Sequence, residues 1–125
     1  MPALYENLRV YKKSFELVVY FENAVKGFDR YHKYVIGSEL RNLARSILIL
    51  IARANTKSDR IQCLRTALEK LEELKILVRL GKETKAFKSF KSFEFVTKLI
   101  IEISKQCEGW LRSQNVSGEP SGTAR

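Results

Sequence analysis

Residues 67–93, ALEKLEELKILVRLGKETKAFKSFKSF, decide how this chain is read. Leu68, Leu71, Leu74 and Val78 recur at three- and four-residue spacing with Glu and Lys between them, the period of an amphipathic helix. From Ile76 to Leu80 the pattern is apolar on nearly every side, and Gly81 then breaks it. Lys82, Lys85, Lys88 and Lys91 follow at three-residue intervals. A helix end apolar all round, beside a run of cations, predicts assembly on one side and a polyanion on the other.

The rest of the chain reads the same way. At 125 residues it is long enough for one domain with a real core and too short for two. An apolar fraction of 45% and only two prolines point to a soluble, all-helical protein. Before the central stretch, Leu8, Tyr11, Phe15, Val18 and Val25 predict a first helix over residues 7–26. Asn7 is its expected N-cap, Gly27 its C′ residue, and Tyr11, Phe15, Tyr20 and Phe21 its buried aromatics. Residues 28–35, FDRYHKYV, read as a loop, with the single histidine His32 solvated in it. A second helix is predicted over residues 37–55, and its run ILILIA at 47–52 is apolar on all faces, which again favours an oligomer. The short turn at 55–58 makes its neighbour antiparallel, a third helix capped by Ser58 or Asp59 and ending near Leu80.

Residues 81–89 read as a connection, and Ser89 or Ser92 can cap a fourth helix over residues 90–113. Phe93, Val96, Ile100, Ile103, Cys107 and Trp110 form its apolar stripe. Residues 114–125, QNVSGEPSGTAR, lack periodicity and are expected to form a disordered tail after a domain of residues 1–113. Four amphipathic helices with short links predict an up-and-down four-helix bundle. The expected subunit contacts are Ile49 and Ile51 on the second helix and Ile76, Leu77 and Leu80 on the third.

Enzyme signatures are missing. There is no glycine-rich phosphate loop, no HExxH and no His–Cys pairing, so catalysis, a metal, a cofactor and a small-molecule substrate are not expected. Glu72 and Glu73 point about 100° apart on a helix and do not make a metal pair. Cys63 and Cys107 sit in helical apolar patterns and read as buried free thiols, which fits a reducing cytoplasm. The N-terminal residues lack the apolar core of a signal peptide, and no apolar run is long enough to span a membrane.

Charge is the remaining chemical feature. The net charge of +9 comes from 23 Lys and Arg against 14 Asp and Glu, and it is unevenly placed. Residues 82–91 carry four basic groups against one acidic, whereas residues 92–125 balance. At 100° per residue, Lys75, Arg79 and Lys82 fall within about 60° of one another and form one stripe bordering the leucine face. Arg41 and Arg45 make a second pair one turn apart, and Lys85 and Lys88 extend the set. Such groups can hold phosphates without reading sequence, with an affinity that falls steeply with salt. The competing reading has the same side chains lying over apolar surface with their heads in water. Of the interleaved aromatics, Phe87 is the candidate for base stacking, while Phe90 and Phe93 at helical spacing read as core.

Residues 68–111 (LEKLEELKILVRLGKE and, after the lysine run, SFKSFEFVTKLIIEISKQCEGWL) resemble the accessory variability determinant proteins of diversity-generating retroelements. YVIGSELRNLARSILILIARAN at 34–55 is similar to their second helix. The positions that carry the resemblance are Gly37, Arg79 within LVRL, and Gly109–Trp110. It implies a four-helix protomer assembling into a homopentameric barrel. It also implies an accessory that is not itself a polymerase and binds the element's reverse transcriptase together with RNA or DNA during mutagenic retrohoming. Related four-helix proteins are encoded in intervening sequences of bacterial ribosomal RNA genes, and a purely structural bundle with incidental charge is a further alternative.

Overall fold

In the computed structural model, residues 8–56 and 59–118 are described. Four long helices and one short one make up the secondary structure of those residues: α1 (Arg9–Lys26), α2 (Arg30–Tyr34), α3 (Ile36–Thr56), α4 (Arg60–Glu83) and α5 (Phe90–Gly118). The expectations for Asn7, Ser58 and residues 119–125 lie outside the described residues.

The long helices close a ring in the order α1–α3–α4–α5, each packed on its two ring neighbours. The α1–α5 register shows the antiparallel run. The Tyr20 hydroxyl donates to the Ser92 carbonyl at 3.0 Å, and at the other end Arg9 donates to Glu102 at 2.9 Å. The Arg9 bond, with help from Lys13, holds the Glu102 carboxyl below its ordinary range. Leu17 and Phe21 of α1, Leu40, Ile47 and Ile51 of α3, Leu64, Leu71 and Leu74 of α4, and Ile100 and Ile103 of α5 are wholly buried. Each such side chain contributes about 1.5–3 kcal/mol relative to exposure, so the apolar stripes account for the architecture.

Several local expectations are corrected. Residues 28–35 are not an open loop: Asp29 accepts the backbone N–H of His32 at 3.0 Å and starts α2. The same carboxylate meets the His32 ring at 2.6 Å, so the histidine is tied down rather than solvated. Gly27 ends α1 in a right-handed conformation (φ −90°), not the left-handed one of a C′ glycine. Phe15 is exposed, and of the four α1 aromatics only Phe21 is wholly buried. Ser89, not Ser92, caps α5 by accepting the Ser92 N–H at 3.1 Å. That helix runs on past Ser113 to Gly118, into the stretch expected to be tail.

Gly81 does not end its helix. It lies within α4, whose C-terminus is closed four residues later by a left-handed residue, Lys85 (φ 65°). The Ala86 N–H bonds the Gly81 carbonyl at 2.8 Å and the Lys85 N–H the Lys82 carbonyl at 3.1 Å, the paired bonds of a Schellman ending. Gly81 and Gly37 serve close packing instead. A Cβ on Gly37 would lie 2.7 Å from Val25 Cγ1, and one on Gly81 would lie 2.9 Å from Phe87 Cε2.

Candidate nucleic-acid interface

The cationic stripe of α4 faces α5. Lys75 and Arg79 line a groove of about 230 Å³ whose other walls are Val78 of α4 and Phe93, Thr97 and Ile100 of α5. One turn further on, the Lys82 ammonium lies 5.2 Å from the centroid of the Phe93 ring and 5.9 Å from that of Phe90. The stripe expected from helical angles is therefore real, and it follows the seam between two helices.

Its charges are only lightly engaged. Lys75 pairs with Glu72 at 2.7 Å and Lys82 with Glu83 at 3.6 Å, both at the surface, where such pairs are worth about 0–1 kcal/mol. Arg79 is exposed and has no ion pair among the described residues. A phosphate entering here exchanges weak surface pairs for charge-assisted hydrogen bonds, and Arg79 offers it a planar two-pronged donor. The apolar floor made by Val78, Phe93 and Ile100 lies beside the aliphatic stems of Lys75 and Arg79, an arrangement that leaves their charged heads at the surface.

Other residues of the expected set are placed differently. Arg45 is engaged across the α1–α3 seam, its Nε donating to Glu22 at 2.8 Å and its Nη2 bonding the same carboxylate oxygen. Arg41, one turn before it, is half-buried, and its Nε has no hydrogen-bond partner among the described residues. This pair lies away from the α4–α5 groove, so α3 does not extend the stripe. Lys85 and Lys88 are exposed in the connection after α4, and the Lys88 stem passes 3.4 Å from where a Gly27 Cβ would sit.

The two phenylalanines exchange roles. Phe87 is buried, edge-on to Phe28 with ring centroids 5.4 Å apart, and is not available for stacking. Phe90, expected in the core, is 61% exposed because α5 starts on it and its side chain precedes the first buried turn.

The expected subunit contacts also divide. Ile51 is wholly inside the protomer, so it cannot touch a neighbour. Leu77 is half-buried against the core. Ile49, Ile76 and Leu80 are exposed, Ile76 at 69%. The run ILILIA is less demanding than it looks in sequence, because α3 sits between α1 and α4 and both its flanks are covered within one chain.

Cys63 and Cys107 are buried free thiols, as expected. Burial, assisted by the neighbouring Glu108 carboxylate, pushes the Cys107 thiol up to about 12. No group of three or more His, Cys, Asp or Glu side chains that could hold a metal ion occurs among the described residues. None of their helices is long and apolar enough to cross a membrane.

Residues 8–114 match the family model described as bAvd-like. No curated protein matches the chain.

Proposed function

The chain belongs to the bAvd-like family, and from that premise we propose that it is the non-catalytic accessory protein of a diversity-generating retroelement and binds the element's nucleic acid through α4. The observation that carries the binding claim is the alignment of Lys75, Arg79 and Lys82 along the α4–α5 seam. Contacts of this kind hold the phosphate backbone and leave sequence unread, which suits a factor acting on a long RNA template or its cDNA.

The reverse transcriptase is the proposed protein partner, and a homopentamer the proposed assembly. Ile76 and Leu80, one turn apart and exposed on α4, together with Ile49 on α3, supply the apolar surface such an assembly would cover. Fluorescence anisotropy with template RNA tests the binding claim. It predicts association at about 50 mM salt that weakens steeply as salt rises, and the absence of any association at that salt would refute it. Co-purification with the neighbouring reverse transcriptase, and the mass of the assembly in solution, test the partner and the pentamer separately.

A further inference from the structure

We propose that the bundle end carrying α2 and the α4–α5 connection is a stacking platform that makes the protein prefer single-stranded nucleic acid. The inference rests on the nucleic-acid reading above and adds which form of nucleic acid is taken and by which residues.

Two segments far apart in sequence meet at this end. Phe28 packs edge-on to Phe87, the Lys88 stem crosses Gly27, and Ile36 Cδ1 lies 3.6 Å from where a Gly81 Cβ would be. The fold thereby joins residues 26–35, with three basic side chains against one acidic, to residues 82–91, with four against one. Together they hold +5 of the chain's +9. Asp29, one of the two acids, is already committed to His32 and to the start of α2.

The same end also holds three aromatic side chains that stay largely exposed among the described residues. Tyr34 is 70% exposed, Tyr31 69% and Phe90 61%. Tyr34 borders a depression of about 340 Å³ whose other lining residues are Arg30 and Lys33, so a ring and two cations share one concave surface. Phe90 stands beside Lys82 on the other segment, continuous with the α4 stripe. Exposed rings interleaved with cations are the arrangement that takes unpaired bases: phosphates go to the cations and bases stack on the rings, without sequence preference. A duplex keeps its bases stacked inside and offers these rings nothing beyond its phosphates.

The test compares a 20-nucleotide oligouridine with a 20-base-pair RNA duplex of mixed sequence, both labelled, by anisotropy. The protein is the full chain, either unchanged or carrying Tyr31→Leu, Tyr34→Leu and Phe90→Leu together. All three side chains are exposed, and leucine keeps an apolar surface while removing the ring. The variant is expected to bind the single strand at least about tenfold more weakly and the duplex within about twofold of the unchanged protein. Equal binding of both probes by the two proteins, or an equal loss on both probes, overturns the platform while leaving the α4 stripe in place. Loss of sedimentation with phosphatidylglycerol vesicles without loss on RNA overturns it in favour of a membrane surface. No binding of either probe by the unchanged protein overturns both readings.

Discussion

The ring of Phe87 fills the space that a side chain at position 81 would need: a Cβ on Gly81 would lie 2.9 Å from Phe87 Cε2 and 3.3 Å from Cδ2. Helix propensity alone favours alanine over glycine inside α4 by about 1 kcal/mol, while overpacking a filled core costs about 1–3 kcal/mol. Gly81→Ala is therefore expected to lower stability by about 1 kcal/mol in the otherwise unchanged chain. In a Phe87→Ala background, where the ring is gone, the same change is expected to raise stability. Chemical denaturation of the four proteins measures this reversal of sign, and a loss of equal size in both backgrounds contradicts the packing account.

That contact also shows what was legible in the sequence. The apolar stripes of four long helices, the Lys75–Arg79–Lys82 alignment and the two buried thiols follow from period and composition, which local residues determine. Gly81 reads as a breaker because its partner, Phe87, comes back to it only through a turn that depends on Lys85 adopting a left-handed conformation. Phe87, Phe90 and Phe93 share one spacing, and which of them is buried depends on where α5 starts. Ile51 looked available because periodicity cannot say that α1 and α4 flank α3. The short α2 was missed although Asp29, three residues before His32, is an N-cap signal that sequence could have supplied.

Arg60 is expected to hold the end of α3 in place. Its Nε donates to the Ala54 carbonyl at 2.6 Å and its Nη2 to the Asn55 carbonyl at 3.2 Å, while the guanidinium lies 5.8 Å from the Trp110 ring centroid. These are carbonyls that a helix C-terminus leaves unpaired. Arg60→Ala is expected to cost about 2 kcal/mol and to shift Trp110 fluorescence to the red, with Arg60→Lys intermediate. Unchanged stability and unchanged emission would show that solvent serves these carbonyls equally well.

Cys107 gives the fold a dependence on alkaline pH. Its thiol is raised to about 12 in the folded state, above its ordinary value, so ionisation favours the unfolded chain. The stability it protects is complete below about pH 9 and declines as pH rises towards 12. A denaturation midpoint followed from pH 8 to pH 11 is expected to fall more steeply for the natural chain than for Cys107→Ala, whatever the lower baseline of that variant. Parallel curves would remove the thiol from the account. In the same pH range native Cys107 is expected to resist alkylation until the protein unfolds.

Assembly is expected to depend on the exposed α4 surface and not on Ile51. Ile76→Glu with Leu80→Glu places two charges on apolar surface without entering the core and is expected to lower the mass seen by light scattering while leaving helicity intact. An unchanged mass would move the subunit contact elsewhere. Ile51→Ala is expected instead to destabilise the protomer by about 2–5 kcal/mol, as a cavity in a filled core does.

The central claim is that the α4–α5 seam holds phosphates, and a salt series measures it most directly. Anisotropy of labelled template RNA is followed from about 50 to 200 mM salt for the unchanged protein and for Lys75→Glu, Arg79→Glu and Lys82→Glu combined. The account predicts that the variant keeps its helicity, binds at least about tenfold more weakly at the lowest salt, and shows a shallower salt slope because fewer counterions are released. An identical affinity and slope for the two proteins would contradict it and place the contact elsewhere on the surface.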